Sequence, residues 1–514
     1  MPPRPAYPRA DAQSPDHERR PLSGDATGSA DATGGSPVEI LSTPAAGPAA
    51  VRGGALRVGG YLLGTLVSAL SAALLLRHLG KIDTGLYVSA LALVAIVAAV
   101  SDLGLTAVGV REIATLPEEE RWPLARDLLG LRITLTLSGT SAMVVIAWVA
   151  YSEAVAIGVA LAGIGLLLQA TQDNFAIPLT VGLRFGWIAA LDLSRQLLTT
   201  LLIVILVLLG AGLVPFLGVS IPVGIPVLAA TVVLVRGTRS LAPSFAWQRW
   251  RRLVRSILPY SVAVAASALY FRVAILLVGA FSTSAQLGDF GASFRVIEVL
   301  TVVPALLASS AFPIFARAAR DDHERFGYAL GRVFQVSVIV GAWVAVSIAI
   351  GAPLAMAVIG GPEFKSAAPV LALQGVALGA MFVSLVWANA LLGLGRHRQI
   401  MSINLVALAF NASIVAALVS VDGARGAAIG TAIAEIGLTI AQALAVVRTR
   451  PALRPPLRTL PGVALATLVG LIPLAFDGVP TIARLVCSTA MFAVVLLVTR
   501  ALPEELMDLV PWSR

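Results

Sequence analysis

Three ionisable side chains, Arg272, Arg295 and Glu298, stand inside apolar runs of the stretch from Ile257 to Arg320. Reading this stretch as two membrane-crossing helices, about 258–280 and 287–312, a rise of 1.5 Å per residue puts both arginines roughly 12 Å below the same membrane face. A guanidinium at that depth costs from about 2.5 to over 10 kcal/mol unless it faces water or a partner. The favoured expectation is an internal, water-filled, cationic cavity, because arginine binds phosphate oxygens bidentately and stays charged. The competing expectation is that each arginine snorkels outward or neutralises an acid, as Arg295 can with Glu298 one turn along the same helix face. Glu298 has a second reading as a protonatable coupling group, since desolvation and nearby arginines move a carboxyl in opposite directions.

Other polar residues fall within apolar segments. Glu435 sits about 14 Å along its span, with Asn411 at a similar depth in the preceding one, and two readings stand: ion coupling, or hydrogen bonding between helices. Arg57 and Asp102 fall near the inner ends of the first two spans, where they can pair or form a gate. Asp192 and Arg195 are spaced as a structural pair on one helix face. Pro304 predicts a kink in the eighth span. Trp148, Trp187, Trp343 and Trp387 are expected to pack or anchor, and Gly423 to Gly426 to form a turn entering a small-residue helix.

The elements that must position these groups follow from composition. The chain has 514 residues, 58% hydrophobic and 13% charged, with mean hydropathy +0.89. A soluble domain carries roughly 25% charged residues, so the reading is an all-α polytopic membrane protein. The net charge of +9 lies mostly in short loops and marks topology, with no nucleic acid expected. A single cysteine and four scattered histidines argue against a disulfide or metal site, and no Walker motif occurs, so no metal or cofactor is expected.

About fourteen apolar spans are expected, each near the length a bilayer requires: 55–76, 84–104, 129–150, 154–177, 187–209, 214–235, 258–280, 287–312, 333–356, 367–392, 399–420, 426–447, 461–476 and 481–500. With the amino terminus inside, twenty-two arginines fall on the inner side and five basic residues outside, so both termini are expected in the cytoplasm. Residues 1–50 form a polar tail expected to be disordered. A six-span unit at 51–235 is followed by a basic linker at 236–257, in which Phe245, Trp247 and Trp250 alternate with arginines, as in a helix lying on anionic lipid. A second six-span unit occupies 258–447, and two additional spans with a tail complete 448–514. A weak repeat with offset 203 relates Gly85-Leu86-Tyr87 to Gly288-Asp289-Phe290. Duplicated bundles commonly bind substrate at the interface between repeats.

Four stretches resemble the polysaccharide-type branch of the multidrug/oligosaccharidyl-lipid/polysaccharide exporter superfamily, which includes the O-antigen and exopolysaccharide flippases. They are Arg77 to Gly80 (RHLG) with Gly85 to Tyr87; Ser101 to Gly104 (SDLG) with Arg111-Glu112; Gly288 to Phe290 through Phe294-Arg295 and Pro304 to Phe312-Pro313; and Leu392 to Arg396 through Asn411 and Gly423 to Ala428 to Glu435. The resemblance implies two six-helix lobes in a V around a central cavity, working by alternating access. It also implies an undecaprenyl-phosphate-linked oligosaccharide as cargo, a bacterial cytoplasmic membrane setting, and polymerase and glycosyltransferase partners. Arg295, Arg272 and Arg57 are then the candidate substrate-binding residues, and Glu298, Glu435 and Asp102 the candidates for H+ or Na+ coupling or gating. By analogy with relatives of fourteen helices, the last pair flanks a lipid groove.

The first span lacks the acid usual in cation-coupled multidrug exporters, and the Arg-Asp opening characteristic of lipid II flippases is replaced by His78-Leu-Gly-Lys81-Ile-Asp83. A lipid II flippase and a proton- or sodium-coupled multidrug antiporter remain the alternatives. A membrane glycosyltransferase would need a large external loop bearing acids, and the expected external loops are short. The protein is expected to be a transporter and not an enzyme.

Overall fold

The computed structural model describes residues 46–102, 104–235, 242–321, 323–476 and 478–503; most of the expected tail lies outside them. Their regular structure is helical throughout: α1 (Ala46–Asp102), α2 (Leu105–Thr115), α3 (Glu118–Ala150), α4 (Glu153–Phe175), α5 (Ile177–Val181), α6 (Phe185–Leu208), α7 (Leu213–Gly218) and α8 (Ser220–Leu234). There follow α9 (Trp247–Phe281), α10 (Ser284–Leu300), α11 (Val302–Asp321), α12 (His323–Ile359), α13 (Ala367–Gly393), α14 (His397–Thr449), α15 (Thr459–Gly470) and α16 (Thr481–Val498).

Ten stretches among the described residues are long and apolar enough to cross a membrane, against the fourteen expected. The difference has a physical origin. Two of the ten, Leu63–Thr115 and His397–Thr449, each contain two expected spans, and Ala265–Phe281 and Thr459–Ala475 are shorter apolar helices. The long stretches turn at glycines with positive φ, Gly80 at 69° and Gly423 at 50°, a region that side chains with a Cβ avoid. At the second turn, the Ala424 amide donates to Gln286 Oε1 at 3.2 Å, so a side chain from α10 caps the new arm of α14. Outward-facing residues such as Val149, 83% exposed, fit a lipid-facing surface, since nothing else would leave so apolar a face uncovered.

The first eight helices pack largely on one another: α1 against α6, α3 against α4, and α4 against α8. A second group forms around α13, which packs between α12 and α14, with α9 along α14. Phe315, Phe326, Phe334, Trp387 and Val446 fill its centre. Helices α15 and α16 lie against each other and against α12.

Segment 242–254 docks onto α3. The Ser244 amide donates to the Arg126 carbonyl at 3.0 Å, Arg126 Nε donates to the Ala242 carbonyl at 2.8 Å, and Arg249 pairs with Asp127 at 2.9 Å. Trp250 is buried beside Leu128, whereas Phe245 and Trp247 are exposed, an arrangement compatible with the expected interfacial role. Helix α9 begins on this docked segment and runs unbroken past residue 257.

The two groups meet where the second arm of α1 lies against α10. A Cβ on Gly85 would stand 2.0 Å from the Ser284 carbonyl oxygen, and one on Gly288 would stand 2.1 Å from the Lys81 carbonyl oxygen. The offset of 203 carries one pairing onto the other, 85 to 288 and 81 to 284, so the repeat packs against itself reciprocally, as across a pseudo-twofold axis. Lys81 pairs with Asp289 at 3.2 Å, and Ser366 donates to the same carboxylate at 3.1 Å. Arg77 donates to the Ala357 carbonyl at 3.2 Å, tying the Gly80 turn to the end of α12.

Candidate functional site: a charged cavity between the helix groups

Arg272 reaches the interface from α9, and Arg295 and Glu298 reach it from α10. Arg295 Nη1 lies 2.6 Å from Glu298 Oε2 along the helix, and Arg272 Nη2 lies 3.1 Å from Glu298 Oε1 across to α9. Both oxygens of one carboxylate are thus engaged, leaving two guanidiniums against one carboxylate. Arg295 Nη2 also donates to Ser68 Oγ of α1 at 2.6 Å, across 227 positions of sequence. The Arg272 guanidinium carbon stands 5.9 Å from the Phe294 ring centroid, a cation–π contact that keeps its charge over an aromatic face.

Both arginine side chains line a cavity, and both pair with an acid. A cavity of about 160 Å³ is bounded by Ser68, Ser71, Gln196 and Thr199 on one side and by Arg272, Phe294, Arg295 and Glu298 on the other. A neighbouring space of about 270 Å³ shares Ser68, Gln196, Arg295 and Glu298 and adds Asp192. A third, of about 580 Å³, begins at Arg272 and Glu298 and extends past Phe271, Ile297 and Met381 to Glu435. All three ionisable groups remain about one-third to two-fifths exposed.

Glu435 marks the far end of the largest space. Tyr270 Oη donates to its Oε2 at 2.7 Å and Ser384 Oγ to its Oε1 at 2.9 Å. Asn411 Nδ2 donates to the Tyr270 carbonyl at 3.2 Å, so Asn411 and Glu435 meet through one tyrosine. Tyr270 and Arg272, two residues apart on a helix, point to different sides: one into the second helix group, the other into the interface.

Asp102 sits in a cluster with Arg132 and Thr106. Its Oδ1 lies 3.1 Å from Arg132 Nη2 and accepts from Thr106 Oγ1 at 2.7 Å, where α1 gives way to α2. Arg132, from α3, also reaches Asp173 of α4 at 3.4 Å. Arg57 lies on the first arm of α1, and its side chain is outside the described residues. The kink expected at Pro304 occurs as a break at Thr301 between α10 and α11; proline supplies no amide to bond back four residues to Leu300. Ser68, Gln196 and Tyr270 escaped sequence reasoning: uncharged and in apolar runs, they carry no periodicity signal apart from their neighbours. No cluster of three or more potential metal ligands occurs among the described residues.

The family described as "Polysaccharide biosynthesis protein" matches residues 74–369, more than half of the chain. The chain belongs to that family. Among solved structures it is similar to the lipid II flippase MurJ in an inward closed conformation, at 10% identity and a TM-score of 0.72, covering 87% of this chain and 99% of that one. It is also similar to an inward-facing multidrug resistance MATE family transporter of the MOP superfamily, at 14% identity and a TM-score of 0.60, covering 75% and 94% of the two chains. A MOP superfamily transporter from Pyrococcus furiosus, described as having a binding pocket of reverse polarity, matches at 16% identity and a TM-score of 0.51, covering 82% and 97%. No curated protein matches. This member of the polysaccharide biosynthesis family is therefore a multi-pass membrane protein with the fold of MOP-superfamily transporters.

Proposed function

We propose that the protein is a flippase that moves an undecaprenyl-phosphate-linked oligosaccharide across the bacterial cytoplasmic membrane for surface polysaccharide synthesis. Both termini face the cytoplasm in this reading, and two six-helix units, 51–235 and 258–447, rock about the interface between them. The observation that carries the reading is the bridged cluster Arg272–Glu298–Arg295 lining a cavity between the helix groups. Phosphate oxygens can replace the Glu298 carboxylate on the two guanidiniums, because they accept hydrogen bonds of the same charge-assisted kind. Glu298 then serves two purposes: it holds the arginines in place while the cavity is empty, and it becomes available to a proton or sodium ion when substrate takes its partners. Glu435, bonded by two neutral hydroxyl groups, is the second candidate coupling acid.

A multidrug antiporter using Glu298 or Glu435 fits less well, because two guanidiniums in the cavity repel cationic drugs. The deciding experiment deletes the gene and follows surface glycan, carrier-linked glycan and drug tolerance together. The flippase reading expects loss of surface glycan with accumulation of carrier-linked glycan on the inner leaflet and unchanged drug tolerance. Intact surface glycan with altered drug tolerance would overturn it.

A further inference from the structure

Opposite the arginines, the largely apolar cavity wall carries a strip of uncharged hydrogen-bonding groups with one acid at its edge. On α1, Ser68 and Ser71 lie three residues apart; on α6, Asp192, Gln196 and Thr199 follow at intervals of four and three. Such spacing puts each set on one helix face. The two faces converge on the cavities of about 160 and 270 Å³, which share Ser68 and Gln196.

The hydrogen-bonding capacity of this wall is only partly used. Ser71 donates to the Ser68 carbonyl at 3.0 Å, and Thr199 donates to the Arg195 carbonyl at 2.8 Å, which leaves the lone pairs of both hydroxyls able to accept. Ser68 Oγ accepts from Arg295. The Gln196 side chain makes no hydrogen bond among the described residues, although it lines both cavities. Its amide supplies two donors and an acceptor.

These groups select for a different ligand chemistry than the arginines do. A phosphate diester only accepts hydrogen bonds, so it gains from guanidinium donors. A sugar ring presents hydroxyls that donate and accept alternately and carry no charge, which a wall of serine, threonine and glutamine can match. We infer that the α1–α6 wall, centred on Gln196, is a sugar-recognition surface that reads the first saccharide attached to the phosphate held by Arg272 and Arg295. The wall and the arginines share one cavity, so phosphate at the guanidiniums places the adjoining sugar against Gln196 and Thr199. Gln196 is thereby a specificity residue, and the arginines are indifferent to whether a sugar is present. This inference rests on the flippase reading and adds a recognition element to it.

The test uses the full chain in nanodiscs and two probes, undecaprenyl diphosphate and undecaprenyl-diphosphoryl-N-acetylglucosamine, with melting temperature recorded for every variant. The native protein should bind the sugar-bearing probe about five- to tenfold more tightly, the scale of one or two net hydrogen bonds. Gln196→Ala should bring the two affinities within about twofold by weakening only the sugar-bearing probe, and Thr199→Val should reduce the preference in the same direction. Arg295→Ala should weaken both probes alike. Native protein that binds both probes equally, or a Gln196→Ala variant that keeps the preference, would overturn the sugar surface while leaving the flippase reading intact. Native protein that binds neither probe would overturn both.

Discussion

The two helix groups touch in two contrasting ways. Near the Gly80 turn they meet backbone to backbone, with Gly85 and Gly288 each pressed on a carbonyl of the other arm and Lys81–Asp289 beside them. Deeper in, near Arg295, the same helices border a cavity, and one guanidinium bonded to Ser68 reaches across it. Glycine permits the close approach because it lacks the atom that would clash. Arginine and glutamate occupy the cavity instead, where exchangeable partners matter more than packing density. On the proposed flippase reading, these two regions are the closed end and the substrate chamber that alternating access requires.

Breaking the sealed end should have the largest effect. Gly288→Val adds atoms where the first would already stand 2.1 Å from a backbone carbonyl, and overpacking against an unyielding neighbour costs about 3 kcal/mol. That cost corresponds to about a hundredfold shift against the closed state. Spin labels at Ile82→Cys and Lys365→Cys, in a Cys487→Ser background, should report longer distances in the valine variant; an unchanged distribution would show that the contact is not a seal. The reciprocal variant Gly85→Val should behave in the same way, because its clash is the same one seen from the other repeat.

Glu298→Gln probes the chamber. Removing the shared carboxylate frees both guanidiniums, so affinity for undecaprenyl diphosphate should rise about tenfold while release slows, the scale of one charge-assisted bond. An unchanged Kd would separate Glu298 from the arginines in function. Lys81→Met should be milder than the glycine variants. Lys81 is partly exposed and the buried Asp289 keeps Ser366 as a partner, so stability should fall by about 2 kcal/mol, between a surface pair and a buried one, read as a drop in Tm. A loss of several times that size would make the ion pair, and not the glycines, the main fastening.

How much of this was legible in the sequence depended on charge and on locality. Arg272, Arg295 and Glu298 announced themselves as ionisable groups in apolar runs, and the Arg295–Glu298 contact follows from a spacing of three. The offset of 203 located the reciprocal glycines, although nothing in it foretold that the repeats would lie against each other at those positions. The gaps in hydropathy near Gly80 and Gly423 marked the turns, and the short α15 was read as a full span because hydropathy does not register the break before Pro473.

Hidden features were those fixed by which helix neighbours which. The bond from Asp102 to Arg132 of α3 is one of these, because depth along a helix does not reveal its direction or its neighbour. Ser68 is one small residue among alanines and leucines in the sequence, and only the fold sets Arg295 beside it. Tyr270, two residues from Arg272, links Glu435 with Asn411.

The central claim is that Arg272 and Arg295 hold the phosphate of the carrier lipid during its passage. The most direct test reconstitutes the native protein and the Arg272→Ala/Arg295→Ala variant in liposomes and measures the leaflet transfer of a fluorescent undecaprenyl-diphosphoryl sugar, with thermal melting as the folding control. Loss of hydrogen bonds to two charged groups, about 3 kcal/mol or more together, should slow transfer by about a hundredfold or more with melting nearly unchanged. A folded double variant that transfers the lipid at the native rate would contradict the account.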